Sequence, residues 1–263
     1  MPRDHGCDLL DSEWQRLLAR DPGAADLSQL YGPLIAVRAC VVGRIVQTLD
    51  GRIATSGGAS FWIGGKEDIL HTHRLRALSD AVIVGAGTVR ADDPLLTTRH
   101  CSGPSPVRVV IDTERRLAGD RRVFAGDPST FLFCAADRDG DSHVGDAEVL
   151  RAPRSPAGGL DLAAVVAALA GRGLRRLLVE GGGITVSRFL AAGLFDRLHV
   201  TVAPLLLGDG IPAFTLPAVA RPEFGMRLAW TTHRLGEDVL FDIAVNRARP
   251  LDVGTLPGLI EPD

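Results

Sequence analysis

"LVEGGGITVSRFLAAG", residues 178–193, decides how the chain is read. A short apolar run ends in Glu180 and three glycines, and helical spacing then runs from Thr185 to a stop at Gly193. A strand that turns through glycines into a helix is the βα unit of a parallel sheet. Glycine lets the backbone come close to a ligand, and the first turn of a helix carries N–H groups that attract phosphate. The same turn also serves plain tight packing, and it is not the GxGxxG dinucleotide fingerprint. Glu180 sharpens the choice, because a carboxylate there repels phosphate unless it points at a sugar hydroxyl or a nitrogen instead.

Working outward, "LDLAAVVAALAGRG" (160–173) predicts a helix closed by Gly171 or Gly173 that leads into the strand "RRLLVEGG" (175–182). "RLHVTVAP" (197–204) follows as another strand. Upstream, "LIAVRACVVGRIV" (34–46) reads as one or two strands and "KEDILHTHRLRALS" (66–79) as a helix. "AVIVG" (81–85), "PVRVVID" (106–112), "TFLFCA" (130–135) and "AEVLR" (147–151) are further strands. This alternation predicts an α/β fold with a mostly parallel sheet and helices on both faces. The late strand "DVLFDIAVN" (238–246), with little helix before it, predicts an antiparallel edge. In "LLDSEWQRLLA" (9–19), Leu10, Trp14, Leu17 and Leu18 share a face of a helix begun by Asp11 or Ser12. The expected organisation is an N-terminal helical extension (1–32), one main domain (33–250) and a C-terminal tail (251–263).

Composition limits the function. The 263 residues carry 29 Lys+Arg against 32 Asp+Glu, so no chain-wide basic field holds a nucleic-acid backbone. A small-molecule partner is expected. Cys7, Cys40, Cys101 and Cys134 lack zinc-ligand or disulfide-framework spacing. No apolar run reaches the roughly 18 residues of a membrane span, so a cytoplasmic protein is expected. His71 and His73, two apart on a predicted helix, diverge, and no metal site is expected.

Two further clusters stand out. "QTLDGRIATSGGASFWIGG" (47–65) follows a strand with polar and small residues, and Asp50-Gly51 in it also fits a hairpin turn. "VGAGTVRADDPLLTTR" (84–99) is a strand followed by Gly85, Gly87, Thr88 and paired aspartates, where Asp93-Pro94 also fits a helix stop.

In their order, "TLDGRIAT", "HRLRALSDAVIVGAGTVRADDPLLTTR", "PVRVVID", "LLVEGGG" and "FLAAGLFDRLHVTVAPLLLG" resemble the reductase domain of the bacterial riboflavin-biosynthesis deaminase/reductase, which has a dihydrofolate-reductase-like fold. The resemblance covers about residues 39 to 245. It implies NADPH-dependent reduction of 5-amino-6-(5-phosphoribosylamino)uracil, with hydride delivered to the ring-opened ribose imine carbon. By the same resemblance Ser60, Arg76, Leu95 and Arg99 meet the substrate's sugar and phosphate, with Glu180 and Arg44 on the substrate side. Val46, Trp62, Thr88, Asp92, Thr113 and the turn from Gly181, Gly182 and Gly183 to Thr185, Val186 and Ser187 meet the cofactor. Arg115 and Arg116 offer charge for its 2′-phosphate. Many relatives carry lysine where this chain has Arg44, and arginine cannot relay a proton. Asp50 and Glu180, acting through water, are then the catalytic candidates. No His-x-Glu with a following Pro-Cys-x-x-Cys occurs, so a stand-alone reductase is expected, and the resemblance implies a homodimer. Two alternatives stay open: a reductase of a pterin or another pathway intermediate, and a nucleotide-binding protein without turnover.

Overall fold

The computed structural model describes residues 9–61 and 63–245; Trp62 and the tail at 251–263 lie outside them. β1 (Cys40–Thr48) is the strand from which the rest can be placed. It pairs in parallel with β8 (Arg176–Glu180) on one side and β9 (Arg197–Ala203) on the other. β3 (Ala81–Gly85), β4 (Val107–Ile111), β5 (Thr130–Ala135) and β7 (Ala147–Ala152) continue the parallel run beyond β8. β12 (Asp238–Ala244) runs antiparallel to β9, and β11 (Ala229–Leu235) antiparallel to β12, as the late strand predicted. A short β6 (His143–Val144) closes the other edge, also antiparallel.

Side-chain alternation along β1 divides the core. Val42 and Cys40 face α1 (Asp11–Ala19), α2 (Gly32–Ile35), α3 (Lys66–Leu78) and α4 (Ala86–Asp92), while Val41 and Ile45 face α5 (Leu162–Gly171) and α6 (Gly183–Ala191). Burial on both faces explains why these strands read as continuous apolar runs. α5 starts where Asp161 accepts hydrogen bonds from the amides of Ala163 and Ala164, at 3.0 and 3.1 Å.

Four expectations change. Leu34 and Ile35 end a short helix, and the first strand begins only at Cys40. Asp50-Gly51 does not close a hairpin, since β2 (Arg52–Thr55) leaves β1 and pairs with β10 (Gly210–Pro212) in a separate two-stranded sheet. The described part of the N-terminal segment is not a separate extension, because Trp14, Leu17, Leu30 and Tyr31 are buried in the core under the first face. Leu10, expected on the buried face, is instead exposed at the helix start.

That segment explains α3. Its sequence has no apolar stripe, yet from His71 to Leu78 every residue is buried. The sheet covers one side and the N-terminal segment the other, where the Arg74 guanidinium lies over the rings of Trp14 and Tyr31 at 5.2 and 5.7 Å. Polar groups under such a lid require partners, and α3 supplies the site with several.

Candidate active site

β1, β3, β4 and β8 are parallel, so their carboxyl ends share one edge of the sheet, where α/β proteins gather ligand-binding loops. Two βα turns meet there, Gly85 into α4 and Glu180–Gly182 into α6. The glycines have separate tasks. Gly181 has φ +97°, and a Cβ on it would stand 2.7 Å from the Thr88 hydroxyl. Gly183 sits against the carbonyls of Ala213 and Pro212, at 2.5 and 2.7 Å from its would-be Cβ. On the opposite turn, a Cβ on Gly85 would overlap the Thr185 hydroxyl. Each turn thus leaves room for the other's threonine, and Thr88 Oγ1 accepts from the Gly182 amide at 3.0 Å. Gly182 itself is open: nothing but the Thr88 hydroxyl, at 3.4 Å, comes near its would-be Cβ, and nothing comes within 4 Å at Gly87. Bare backbone beside two helix starts is a surface that a pyrophosphate fits.

The remaining residues assigned to that turn divide by burial. Thr185 and Val186 give their amides to Gly182 O, and Val186 is in the core below. Ser187 is buried, with its hydroxyl accepting from the Thr215 amide at 2.8 Å. The side chains of Val186 and Ser187 therefore face away from the cleft, which corrects any side-chain role there. Thr113 follows β4 at the same edge, and Asp92 ends α4. Val46 lies on β1 two residues beyond Arg44, on the same face. Arg115 is spent on the carbonyls of Asp139 and Asp141 at 3.1 and 2.6 Å, whereas Arg116 is exposed.

Glu180, at the mouth of the turn, is only 6% exposed and points under α3. Its two oxygens accept from Arg76 Nε and Nη2 at 2.8 and 2.6 Å, a bidentate pair. Burial disfavours the Arg76 charge, but the attraction and hydrogen bonds of Glu180 outweigh it and hold the guanidinium pKa up. Arg76 Nη1 also donates to Thr97 O at 3.1 Å, and Arg99 Nη1 to the Thr97 hydroxyl at 2.8 Å. Arg76, Arg99 and Glu180 thus form one cluster, with Leu95 on the chain leading into it. Ser60 lies on the loop before α3.

Asp50 changes role. Its carboxylate accepts from the Thr48 hydroxyl at 2.5 Å and from the amides of Leu207 and Gly208, at 3.2 and 2.6 Å. The Thr48 hydrogen bond leads in pulling its pKa down to about 2. A group so held clamps the turn after β1 to the loop after β9. Arg44 lies beside Glu180 and His199 in strand register, but its guanidinium is paired with Asp68 in the first turn of α3.

Sequence reasoning missed a buried chain below this cluster. The Tyr31 hydroxyl meets His71 Nδ1 at 2.9 Å, His71 Nε2 meets His199 Nδ1 at 3.1 Å, and His199 Nε2 lies 3.2 Å from Asp242, off the N–H line. Burial, then the charges of His199 and Arg44, put the His71 pKa well below its usual value. The signal was present as His71 inside an otherwise helical run, but its partners lie 40 and 128 residues away in sequence. Among the described residues no group of three His, Cys, Asp or Glu gathers to hold a metal, and no helix is long and apolar enough to cross a membrane.

Sheet order and the cleft at the strand ends define a dihydrofolate-reductase-like α/β domain. The chain belongs to the RibD C-terminal domain family, which matches residues 39–241. It is 34% identical over 220 residues to the 2,5-diamino-6-ribosylamino-4(3H)-pyrimidinone 5′-phosphate reductase of Methanothermobacter thermautotrophicus, covering 80% of this chain and 99% of that protein. It is 31% identical over 208 residues to the riboflavin biosynthesis protein RibD of Mycobacterium tuberculosis, covering 77% of this chain and 53% of that protein. The crystal structure of the diaminohydroxyphosphoribosylaminopyrimidine deaminase/5-amino-6-(5-phosphoribosylamino)uracil reductase of Thermotoga maritima superposes with a TM-score of 0.68 at 26% identity, over 85% of this chain and 61% of that one.

Proposed function

We propose that this protein is a riboflavin-pathway pyrimidine reductase that uses NADPH to reduce 5-amino-6-(5-phosphoribosylamino)uracil to its ribitylamino product. One observation carries the reading: at the carboxyl end of β8 the open backbone of Gly182 adjoins the carboxylate of Glu180, which is tied to Arg76. A dinucleotide pyrophosphate and a sugar phosphate thereby receive adjoining seats. When bound, the nicotinamide supplies the hydride that reduces the ring-opened ribose imine.

The protein's own work is placement. The N-terminal end of α6 and the Gly182 backbone hold the pyrophosphate, with Thr113 and Asp92 along the rest of the dinucleotide. Arg116, exposed beyond β4, is the cation we assign to the 2′-phosphate. Arg99 and the remaining N–H groups on Nη1 and Nη2 of Arg76 take the substrate phosphate, with Ser60 and Leu95 beside its sugar. Each Glu180 oxygen already accepts from Arg76 and keeps a lone pair for a sugar hydroxyl or an N–H. Bound to arginine on both oxygens, Glu180 is fixed in place and orients the substrate. We assign the protein as a soluble homodimer acting in the cytoplasm.

A second reading keeps every contact and exchanges the uracil for the 2,5-diaminopyrimidinone, which the archaeal relative matched over 99% of its length is named for. Loss of NADPH absorbance with each substrate separates the two, and NADH in place of NADPH tests the 2′-phosphate. Faster turnover of the diamino form moves the assignment to it; no turnover of either, with NADPH bound, ends the reductase reading.

The glycines give a further test. Gly182→Ala should fold with near-normal stability and bind NADPH about 10-fold more weakly, the worth of about 1.4 kcal/mol of close backbone contact. Gly181→Ala should instead lower stability by about 1–3 kcal/mol, since alanine is strained at φ +97° and crowds Thr88. Unchanged NADPH affinity in a folded Gly182→Ala protein would show that the pyrophosphate lies elsewhere.

A further inference from the structure

His73 has no place in the reading above, yet it is 4% exposed and sits one helical turn before Arg76 on the same face of α3. Its Nδ1 accepts the backbone amide of Arg99 at 2.9 Å. The ring meets His100 edge to face, with centroids 4.5 Å apart. Each residue of the segment it touches is held by a different partner. Thr97 O receives Arg76, the Thr98 amide donates to Ser105 Oγ at 3.0 Å, and the Arg99 amide donates to His73. Just before it, Asp93 and Leu96 are left-handed, with φ 39° and 55°. Such backbone persists only where its surroundings over-determine it.

We infer that His73 is a positioning residue that, by accepting the Arg99 amide, holds the Arg99 guanidinium in the seat for the substrate's phosphate. The inference rests on the substrate reading given above. Arg99 is exposed, and its Nη1 donates to the Thr97 hydroxyl. Its aim depends on that bond and on its backbone, and α3 fixes the backbone relative to Arg76 through His73 and Thr97. Neutral imidazole is required, because a protonated ring would set one N–H against another. Burial, then the charges of Arg76, His100 and Arg99, push the His73 pKa down to about 4, so the acceptor survives at working pH.

Asparagine carries its side-chain oxygen about where Nδ1 lies, whereas glutamine reaches the position of Nε2, so the two variants separate the acceptor from mere polarity. Calorimetric titration with ribose 5-phosphate reads the seat directly. The expected result is that His73→Asn binds it within about 3-fold of the unaltered protein, while His73→Gln binds about 10-fold more weakly. NADPH affinity should be equal in all three. In turnover, His73→Gln should raise KM about 10-fold and leave kcat within about 2-fold. A glutamine variant that binds like the unaltered protein, an asparagine variant as weak as glutamine, or an equal loss of NADPH affinity would overturn the positioning role. No binding of ribose 5-phosphate by the unaltered protein would instead overturn the substrate reading itself, and this inference with it.

Discussion

Arg76→Ala is expected to lower kcat/KM for the phosphorylated pyrimidine about 100-fold or more, through the loss of charge-assisted hydrogen bonds worth about 1.5–3 kcal/mol each. NADPH affinity should stay within about 3-fold, because Arg76 lies on α3 and not in the glycine turn. Stability should fall as well. Removing one partner of a buried ion pair leaves the other charged and unpaired, at a cost of about 3–5 kcal/mol. The double variant Arg76→Met, Glu180→Leu separates the two effects, since apolar side chains of similar volume restore packing without restoring recognition. Urea denaturation and steady-state kinetics on the single and double variants check both. Equal losses of substrate and NADPH affinity would undo the division of the cleft, and a double variant with normal turnover would remove the pair from the site.

The second large effect is on acid stability. His71 is fully buried, and its folded pKa lies well below 6.5. Below pH 6.5 the unfolded chain takes up a proton that the folded chain refuses, so stability is complete above 6.5 and declines as the pH falls. The slope is about 1.4 kcal/mol per pH unit for one such group, or about 2 kcal/mol between pH 6.5 and 5. The groups facing His71 are Tyr31, His199, Arg44, Arg74 and His233, and the arginines oppose a second positive charge there. His73, pushed down to about 4, adds a second such slope; urea midpoints at pH 7 and pH 5 measure the combined decline, and His71→Phe should reduce it by about half. A midpoint independent of pH would mean that His71 is accessible to protons in the folded protein.

The parallel sheet was legible because its strands are short apolar runs punctuated by glycine, and Glu180 with its three glycines marked the carboxyl edge. The antiparallel edge followed from the strand near residue 240 having no helix before it. What stayed hidden were pairings across long separations. Nothing local shows that Glu180 meets Arg76 across 104 residues, or that Asp50 is taken by amides 157 and 158 residues on. Helix α3 hid its burial for the same reason: Asp68, His71, His73 and Arg76 are matched with distant partners, so no stripe appears. The N-terminal segment read as separate because amphipathic spacing says which face is apolar and not what covers it. Side chains past the glycine turn were over-assigned to the ligand, since sequence cannot tell that Ser187 looks inward to Thr215.

Redesign of cofactor preference meets a constraint set by the two interlocked turns. The Thr185 hydroxyl occupies the side-chain space that Gly85 leaves empty, and the Thr88 hydroxyl that of Gly181, so the paired loops behave as a tongue-and-groove joint. Bulk introduced on either loop evicts a hydroxyl from its mate, and randomising one loop alone would yield mostly misfolded clones. Productive libraries must diversify positions 85, 88, 181 and 185 together.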